Sequence, residues 1–323
     1  MGVFTALGAT ELGDLAAAFE LGAVERYEPI AAGTINTNFE LITERGRYFV
    51  RLNEGKAEAD VAWEARLVTE LAAAGVLTPP PLVAKDGRPY AECMRKWASV
   101  FPWRDGHHVG ADHVTPAIAE TFGAALGDLH RAGLELPSGW RRGSIYDHDH
   151  LASRFDRCSR VDDRAINYAL AILREELAIA KAGFALRRAA THGIIHGDLF
   201  RDNVLWTDDP ARISAILDFE QASGGSLVYD LAVCINDWCW TIYPRFDLAA
   251  ALVAGYQRVR PLTASDRTAL PIEIRAAAAR FTLTRITDVY LARVDNPEKD
   301  FRAFLARCEA WRGPALGQLI AAV

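Results

Sequence analysis

The fold of this chain is decided by two neighbouring stretches of sequence: residues 192–206, His-Gly-Ile-Ile-His-Gly-Asp-Leu-Phe-Arg-Asp-Asn-Val-Leu-Trp, and residues 213–220, Ile-Ser-Ala-Ile-Leu-Asp-Phe-Glu. The end of the first stretch and most of the second are apolar and rich in residues that favour β-strands. Residues 208–211, Asp-Asp-Pro-Ala, form a turn signal between them. The sequence therefore predicts a β-hairpin whose open end carries polar side chains.

Three oxygen-bearing side chains are expected to meet at the open end of this hairpin. The register set by the turn pairs Asn203 with about Ile216, which places Asn203 and Asp218 at the same end. Asp198 lies a few residues upstream, in the loop that enters the first strand. Phosphoryl transfer requires such a set: a carboxylate to accept the proton of the acceptor hydroxyl, and hard oxygen ligands for magnesium. We therefore predict that Asp198 is a catalytic base and that Asn203 and Asp218 are magnesium ligands.

The residues before the hairpin resemble the catalytic loop of protein kinases. In such a loop the catalytic Asp follows a His by two residues and precedes a metal-binding Asn by five, which is the spacing of His196, Asp198 and Asn203. Isolated His, Gly and Asp residues more often belong to ordinary turns, so the prediction depends on their conjunction with Asp218. His196 follows two isoleucines and is expected to be buried and hydrogen-bonded, shaping the loop rather than carrying a proton.

A nucleotide-binding segment is predicted in the first hundred residues. Residues 31–39, Ala-Ala-Gly-Thr-Ile-Asn-Thr-Asn-Phe, lie at a turn between two predicted strands, where small and amide residues let backbone N–H groups approach phosphates. Arg51 falls where protein kinases carry a phosphate-contacting lysine on the third strand, and Glu64 in the next helix is its candidate ion-pair partner. The alternative is that both are ordinary exposed charges. The candidates for contact with ATP are Gly33, Thr34, Asn36, Asn38, Arg51 and Glu64.

Periodicity along the chain predicts an α+β, two-lobed protein-kinase-like fold. The first part reads as strands at 24–30, 37–43 and 47–53, a helix at 57–74, and further strands or edge segments at 81–84, 88–95 and 97–101. After residue 115 helical periodicity prevails, at 117–131, 150–160, 163–182, 227–240, 248–258, 264–292 and 297–311. We expect a small β-rich N-terminal nucleotide-binding lobe, residues 1–102, and a larger, mainly helical C-terminal lobe, residues 103–323, for catalysis and acceptor binding.

Composition sets the class of protein. The chain has 323 residues, 50% of them hydrophobic, which is enough for two domains with sizeable cores. A net charge of −6 and the lack of a block of Lys and Arg argue against nucleic-acid binding. The sequence has no apolar run long enough to span a membrane and no leader-like N-terminus, so we expect a cytoplasmic protein. Five cysteines without the spacing of a zinc site are expected to be reduced, buried thiols.

The catalytic segment resembles the aminoglycoside phosphotransferase and choline kinase superfamily, whose motif is His-Gly-Asp-Leu, three variable residues, Asn and, later, Ile-Asp-Phe. The C-terminal part resembles one branch of that superfamily, the homoserine kinases, in three blocks. These blocks are residues 229–239, Tyr-Asp-Leu-Ala-Val-Cys-Ile-Asn-Asp-Trp-Cys; residues 255–263, Gly-Tyr-Gln-Arg-Val-Arg-Pro-Leu-Thr; and residues 278–288, Ala-Ala-Arg-Phe-Thr-Leu-Thr-Arg-Ile-Thr-Asp. Residues 218–225, Asp-Phe-Glu-Gln-Ala-Ser-Gly-Gly, depart from the homoserine kinase pattern near the acceptor.

The resemblance implies that ATP and Mg²⁺ are used to phosphorylate the hydroxyl group of a small-molecule, amino-alcohol-type acceptor, with L-homoserine as the first candidate. It also implies that Asp230 is a buried carboxylate that braces the catalytic loop. Homoserine is a zwitterion, so its site must offer a carboxylate to the ammonium group and an arginine to the carboxylate. The candidate acceptor contacts are Asn236, Asp237, Arg280 and Arg285.

Three aromatic residues keep a second acceptor class open. Trp238, Trp240 and Tyr243 lie close together in sequence, and an aromatic cage suits a quaternary ammonium group such as that of choline. Residues two apart on a helix point to different sides, however, so Trp238 and Trp240 are not expected to line one wall. Choline, ethanolamine and aminoglycosides remain alternative acceptors. A non-catalytic ATP-binding module is a further alternative, and the presence of Asp198 together with both magnesium ligands argues against it.

Overall fold

The computed structural model describes residues 5–30, 36–208, 212–294 and 296–323. The chain divides into two compact units, one made of Met1–Gly106 with Ser214–Leu217, and the other of His107–Ile213 with Asp218–Val323. The first unit is rich in strands and the second in helices, as the fold class predicted from the sequence requires.

The first unit contains a five-stranded antiparallel sheet. Its strands are β1 (Val24–Ile30), β2 (Thr37–Thr43), β3 (Gly46–Asn53), β4 (Ala91–Cys93) and β5 (Lys96–Pro102), in the spatial order β1-β2-β3-β5-β4. The first three match the strands predicted from the sequence. The segment at residues 81–84, predicted as a strand or an edge segment, forms no strand. Leu82 N donates one hydrogen bond to Val100 O at 2.7 Å, but the prolines at 79–81 have no N–H with which to extend a ladder.

Two helices complete the first unit, α1 (Ala9–Ala18) and α2 (Glu58–Ala73). The helix predicted at residues 57–74 is α2. The sequence did not predict α1, because ten residues that include a glycine give a weak periodic signal. Tertiary packing supports this helix, since Leu12 and Leu15 are buried in one apolar cluster with side chains of the sheet. These sheet residues include Leu41, Val50 and Leu52.

The second unit is formed mainly by helices. These are α3 (Pro116–Glu135), α4 (His148–Cys158), α5 (Arg164–Ala182), α6 (Phe184–Ala189), α7 (Leu227–Trp238), α8 (Phe246–Val259), α9 (Ala264–Arg285), α10 (Phe301–Trp311) and α11 (Pro314–Ala322). The sequence did not predict α6 and α11, because six and nine residues give little periodicity. The helix predicted at 264–292 ends at Arg285 and continues as a π-helical turn, Ile286–Tyr290.

Glycine allows the backbones of α3 and α8 to touch. A Cβ atom at Gly123 in α3 would lie 2.0 Å from Leu252 O, and one at Gly255 in α8 would lie 2.0 Å from Glu120 O. No side chain tolerates such a distance, so these positions require glycine for a steric reason. The close contact fixes α3, which carries a buried histidine of the network described below.

Two short sheets position the loops of the candidate site. β6 (His192–Ile195) pairs antiparallel with β9 (Ser223–Ser226), and β7 (Val204–Trp206) pairs with β8 (Ile213–Ile216). The second pair is the predicted hairpin: Thr207 N donates a hydrogen bond to Arg212 O at 2.8 Å, and turn residues 209–211 lie outside the described residues. The sequence did not predict β9, because Ser-Gly-Gly-Ser has low strand propensity.

From the sequence we expect reduced, buried cysteines and no segment long enough to span a membrane. All five cysteines are free thiols with buried side chains. Within the described residues, no helix has both the length and the apolar character needed to cross a membrane.

Candidate active site

The loop that carries Asp198 follows β6 and is held in place by Asp230 of α7. The buried Asp230 carboxylate accepts hydrogen bonds from His196 N at 2.6 Å and from Gly197 N at 2.7 Å. Gly197 has a φ of +79°, and a Cβ atom there would lie 3.0 Å from Gln221 O, so the turn and the close approach both favour glycine. These interactions fix the backbone that leads directly into Asp198.

Asp198 and Asn203 are in direct contact within this loop. Asn203 Nδ2 donates a hydrogen bond to the backbone oxygen of Asp198 at 2.7 Å, which orients the amide and directs its Oδ1 away from that carbonyl. The Asp198 side chain is 28% exposed, so a small molecule can reach the carboxylate. His196 is fully buried, and its Nδ1 accepts a hydrogen bond from Asp198 N at 3.4 Å. The imidazole is therefore an internal part of the loop.

Asp218 begins the segment that follows β8. Its backbone is left-handed, with φ of 64° and ψ of 67°, a conformation that is costly for a residue with a Cβ and that clusters at functional sites. The next residue, Phe219, is buried, and its ring centroid lies 4.6 Å from that of His196. This ring contact joins the Asp218 segment to the loop that carries Asp198 and Asn203.

The oxygen donors of this region suit magnesium, which prefers carboxylate and amide oxygens. In the described part of the chain, no group of three or more His, Cys, Asp or Glu side chains is arranged to hold a metal ion. Magnesium needs no such cage, because it is commonly bound by one or two carboxylates together with substrate phosphates and water. Asn203 and Asp218 fit the ion on these grounds and are the residues that would hold it.

A chain of buried polar side chains continues behind Asp230. His130 Nε2 lies 3.2 Å from Asp230 Oδ2, and His130 Nδ1 lies 2.8 Å from the Tyr256 hydroxyl. Arg260 donates hydrogen bonds to the Tyr256 hydroxyl at 3.0 Å and to Asp266 at 2.8 Å. Burial lowers the pKa of His130, against the opposing effect of its hydrogen bond to Asp230. The imidazole is therefore neutral in the native protein near pH 7.

His130→Gln is expected to change how stability depends on pH. Because the native pKa of His130 lies below the ordinary value of 6.5, the unfolded chain takes up a proton near that pH that the native protein does not bind. The stabilisation by His130 is therefore complete above the unfolded pKa and is lost as the pH falls, by up to about 1.4 kcal/mol per pH unit. Urea unfolding at about pH 8, 6.5 and 5 measures this effect. The difference in the free energy of unfolding between the wild type and the variant should become smaller as the pH falls. If the wild type instead became more stable relative to the variant at acid pH, the native imidazole would be charged.

Arg280, in α9, is the candidate acceptor contact that the structure brings against Asp198. Its Nη1 lies 3.6 Å from Asp198 Oδ1. The guanidinium carbon lies 3.9 Å from the ring centroid of Tyr146 and 3.8 Å from that of Phe281. The side chain is only 4% exposed, and among the described residues its Nε and Nη1 have no hydrogen-bond partner. A buried guanidinium with unused donors is suited to receive a carboxylate.

The other three candidate acceptor contacts interact with protein groups. Asp237 accepts hydrogen bonds from Arg201 N at 2.9 Å and from Arg201 Nε at 3.0 Å. Asn236 is fully buried; its Nδ2 donates to two backbone oxygens and its Oδ1 accepts from Trp311 Nε1 at 2.8 Å. Arg285 Nη1 donates to two backbone oxygens of the segment before α10. These contacts join α7, α9 and α10 to each other and to the catalytic loop.

In the first unit, Arg51 and Glu64 form a buried ion pair. Arg51 Nη1 lies 3.1 Å from Glu64 Oε1, and each side chain is 10% exposed, so neither is an ordinary surface charge. Lys56 Nζ lies 3.1 Å from the other carboxylate oxygen of Glu64. The sequence did not indicate Lys56, because it lies in the short irregular segment between β3 and α2, which has no periodic signal. One carboxylate thus holds two cationic groups.

The remaining candidates for contact with ATP lie on or before β2. Asn38 is directly opposite Arg51 in the ladder between β2 and β3 and is buried. Asn36 Oδ1 accepts a hydrogen bond from Glu54 N at 3.1 Å, which anchors the start of β2. Gly33 and Thr34 lie outside the described residues.

The three aromatic residues considered for a cage do not gather around one space. Trp238 is buried and stacks on Phe122, with ring centroids 3.9 Å apart. Trp240 packs against Trp311, with centroids 5.4 Å apart, whereas Tyr243 is 74% exposed. Core packing therefore accounts for both tryptophans.

The structure adds three residues near Arg280 that the sequence did not single out as a site. Arg154 of α4 forms an ion pair with Asp288, and its guanidinium carbon lies 5.7 Å from the ring centroid of Tyr146. Burial raises the pKa of the Tyr146 phenol, which keeps it a neutral hydroxyl. No local pattern could have revealed this group, because it joins α4 and the segment before it to the end of α9.

Comparison with known sequences gives consistent matches along the chain. The sequence profile of the phosphotransferase enzyme family (APH) matches residues 26–262. The homoserine kinase of Methylobacterium radiotolerans is 34% identical over 303 residues, which cover 89% of this chain and 88% of that protein. The homoserine kinase of Parvibaculum lavamentivorans is 32% identical over 324 residues, which cover 98% of this chain and 97% of that protein.

Solved kinase structures share the fold at low sequence identity. Amicoumacin kinase hAmiN, in complex with AMP-PNP, Ca²⁺ and Ami, has a TM-score of 0.73 and 14% identity over 96% of this chain and 93% of that chain. Choline kinase from Cryptosporidium parvum Iowa II has a TM-score of 0.67 and 14% identity over 91% of each chain. At this level of identity the likeness concerns the fold, and it confirms the kinase-like fold class predicted from the sequence.

Proposed function

We infer that this chain, because it belongs to the phosphotransferase enzyme family, transfers the γ-phosphate of ATP to the hydroxyl group of a small amino-alcohol-type acceptor. We propose that the acceptor is L-homoserine and that the product, O-phospho-L-homoserine, is used in threonine biosynthesis. The homoserine kinases to which the chain is similar along most of its length support this choice. A cytoplasmic location, where ATP and the free amino acid are available, is part of the proposal.

The observation that carries the choice of acceptor is the buried Arg280 beside Asp198. Because the two side chains lie 3.6 Å apart, an acceptor that contacts both must hold its hydroxyl and its carboxylate at the two ends of a short carbon chain. L-Homoserine has this arrangement. Choline and ethanolamine carry no carboxylate, so their binding would leave Nε and Nη1 of Arg280 without a hydrogen-bond acceptor, which is unfavourable for buried donors.

Asp198 is proposed to accept the proton of the acceptor hydroxyl as its oxygen forms a bond to the γ-phosphorus. The bond between that phosphorus and the oxygen bridging to the β-phosphate breaks in the same displacement, and ADP leaves with the bonding electrons. The proton remains on the Asp198 carboxylate until it passes to solvent. Asp230 contributes by holding the loop, so that Asp198 requires no reorientation before it acts.

The first unit is proposed to be the nucleotide-binding lobe. Arg51 and Lys56, both paired with Glu64, would supply positive charge to the phosphates of ATP. Backbone N–H groups near Gly33, Thr34, Asn36 and Asn38 would add hydrogen bonds. Asn203 and Asp218 would hold the Mg²⁺ that accompanies ATP, which neutralises charge on the phosphate oxygens when bound.

A panel of acceptors tests the proposed substrate. L-Homoserine, choline, ethanolamine and an aminoglycoside are each supplied with ATP and Mg²⁺, ADP release is measured, and the phosphorylated product is identified by mass spectrometry. We expect kcat/KM for L-homoserine to exceed that for each alternative by at least about tenfold. A higher kcat/KM for another acceptor would show that this acceptor, and not L-homoserine, is the substrate. No turnover with any of them would favour a non-catalytic ATP-binding module.

Arg280→Met is expected to lower kcat/KM for L-homoserine by about 30- to 150-fold, because losing a charged hydrogen bond to a carboxylate costs roughly 2–3 kcal/mol. Methionine retains apolar contact with Tyr146 and Phe281, so the fold should persist. Homoserinol, in which a hydroxymethyl group replaces the carboxylate, should be affected much less. Arg131→Met, at a 66% exposed arginine of α3, is the control. Equal losses with the two acceptors would count against a carboxylate contact at Arg280.

A further inference from the structure

The acceptor proposed above also carries an α-ammonium group, which needs an anionic partner. Asp237, the carboxylate that the sequence suggested for it, is 9% exposed and lies 3.0 Å from Arg201 Nε. Asp198 is assigned to the hydroxyl group. We propose, resting on that proposed function, that Asp288 binds the ammonium group and sets the preference for amino-acid acceptors.

Asp288 is connected to the acceptor site through one tyrosine ring. The ring centroid of Tyr146 lies 3.9 Å from the guanidinium carbon of Arg280 and 5.7 Å from that of Arg154. Arg280 faces Asp198, and Arg154 forms the ion pair with Asp288. Beyond the effect of burial, all four charged groups influence the pKa of the Tyr146 phenol, which is consistent with their lying around it. The two guanidinium groups flank the ring, and a carboxylate lies beyond each of them.

The backbone after α9 turns Asp288 toward the face that carries Arg280. On a regular α-helix, a residue eight positions further along is rotated by about 80°, because each residue advances by about 100°. The segment Ile286–Tyr290 is π-helical, and its wider turn advances less per residue, which reduces this rotation. Single π-helical turns are frequent at functional sites.

Asp288 has a carboxylate oxygen available for a ligand. Its Oδ1 accepts hydrogen bonds from Arg154 and from the Thr287 hydroxyl, the latter at 2.8 Å. Among the residues that the structure describes, Oδ2 has no such donor, and the side chain is 46% exposed. An ammonium group can therefore approach Oδ2 while the ion pair with Arg154 stays intact. The ion pair also joins α4 to the π-helical turn. If Asp288 had only this structural role, the experiment below would give a different result from the one expected for ammonium binding.

Asp288→Asn separates ligand binding from bracing when it is tested with two acceptors. L-Homoserine and 4-hydroxybutanoate share the hydroxyl, the carbon chain and the carboxylate, and differ in the α-ammonium group. For the wild type, we expect kcat/KM for L-homoserine to exceed that for 4-hydroxybutanoate by about 20-fold. For Asp288→Asn, the preference should fall to about twofold through a higher KM for L-homoserine, with kcat and the KM for ATP nearly unchanged.

Two further variants act as controls, and melting temperatures verify the fold of each. Arg154→Met removes the ion pair but keeps the carboxylate, so the preference for L-homoserine should persist. Asp128→Asn removes an exposed aspartate that pairs with Arg131 at 2.7 Å on α3. This variant should leave kcat/KM unchanged for both acceptors.

Three results would overturn the assignment of Asp288. Equal losses with both acceptors in Asp288→Asn, or the same loss of preference in Arg154→Met, would leave only a structural brace. A wild-type preference below about twofold would exclude an ammonium contact without any variant, because a charge-assisted hydrogen bond is worth more than that. A wild type that does not phosphorylate L-homoserine would instead refute the proposed function, and the role of Asp288 with it.

Discussion

Asp198→Asn is expected to lower kcat for acceptor phosphorylation by about 1,000-fold and to leave the free energy of unfolding nearly unchanged, because a positioned general base contributes roughly 10²- to 10⁴-fold. An amide of the same size cannot accept the proton at neutral pH. The substitution preserves the hydrogen bonds that fix the loop, since Gly197 N donates to Asp230 and Asn203 donates to the backbone oxygen of residue 198. The loss therefore concerns the chemical step rather than the shape of the site.

ADP release with saturating L-homoserine, ATP and Mg²⁺ measures this effect, after subtraction of the ATP hydrolysis seen without acceptor. Asp202→Asn is the matched control, because Asp202 is an exposed carboxylate in the same loop, and it should retain nearly the wild-type kcat. Turnover by Asp198→Asn within about tenfold of the wild type would exclude Asp198 as the base.

Asp230→Ala is expected to lower the free energy of unfolding by about 4 kcal/mol, because each buried donor left without an acceptor costs roughly 1–3 kcal/mol. The donors concerned are the backbone N–H groups of His196 and Gly197 and the imidazole of His130. The loop would also lose its support, and a displacement of about 1 Å at Asp198 can lower kcat by about 100-fold. Stability and activity should therefore decline together.

Urea unfolding of the wild type and the variant measures the loss of stability. Asp230→Asn retains one side-chain oxygen as an acceptor and should lose about half as much. Asp247→Asn is the surface control, since Asp247 is 50% exposed and pairs with Arg245 outside the loop. A loss below about 1 kcal/mol in Asp230→Ala would mean that water or another group satisfies the donors, and would contradict the bracing role.

The sequence predicts the fold well where the local signal is strong and long. β2 and β3 are joined by a tight turn, and α5 runs for 19 residues from an N-cap aspartate, Asp163. Elements that depend on tertiary contacts escape prediction. α1 is stabilised by burying Leu12 and Leu15, and the Gly-rich β9 extends only because β6 pairs with it.

The same distinction applies to the candidate site. Asp198 and Asn203 are close in sequence, so one loop brings them together and a motif can indicate it. Arg280 and Tyr146 meet only through the packing of α9, and no local pattern encodes that contact. Helical periodicity likewise does not distinguish a ligand-binding amide from the amide of Asn236, whose hydrogen bonds join three helices.

All five cysteines are buried free thiols, and burial raises the pKa values of Cys239 and Cys308, the latter to about 12. Protonated and inaccessible thiols react slowly with maleimides and oxidants. A cysteine introduced on the surface would thus be a selective chemical handle on the folded chain. Fluorophores could be attached there to follow substrate-induced motion without replacing any of the native cysteines.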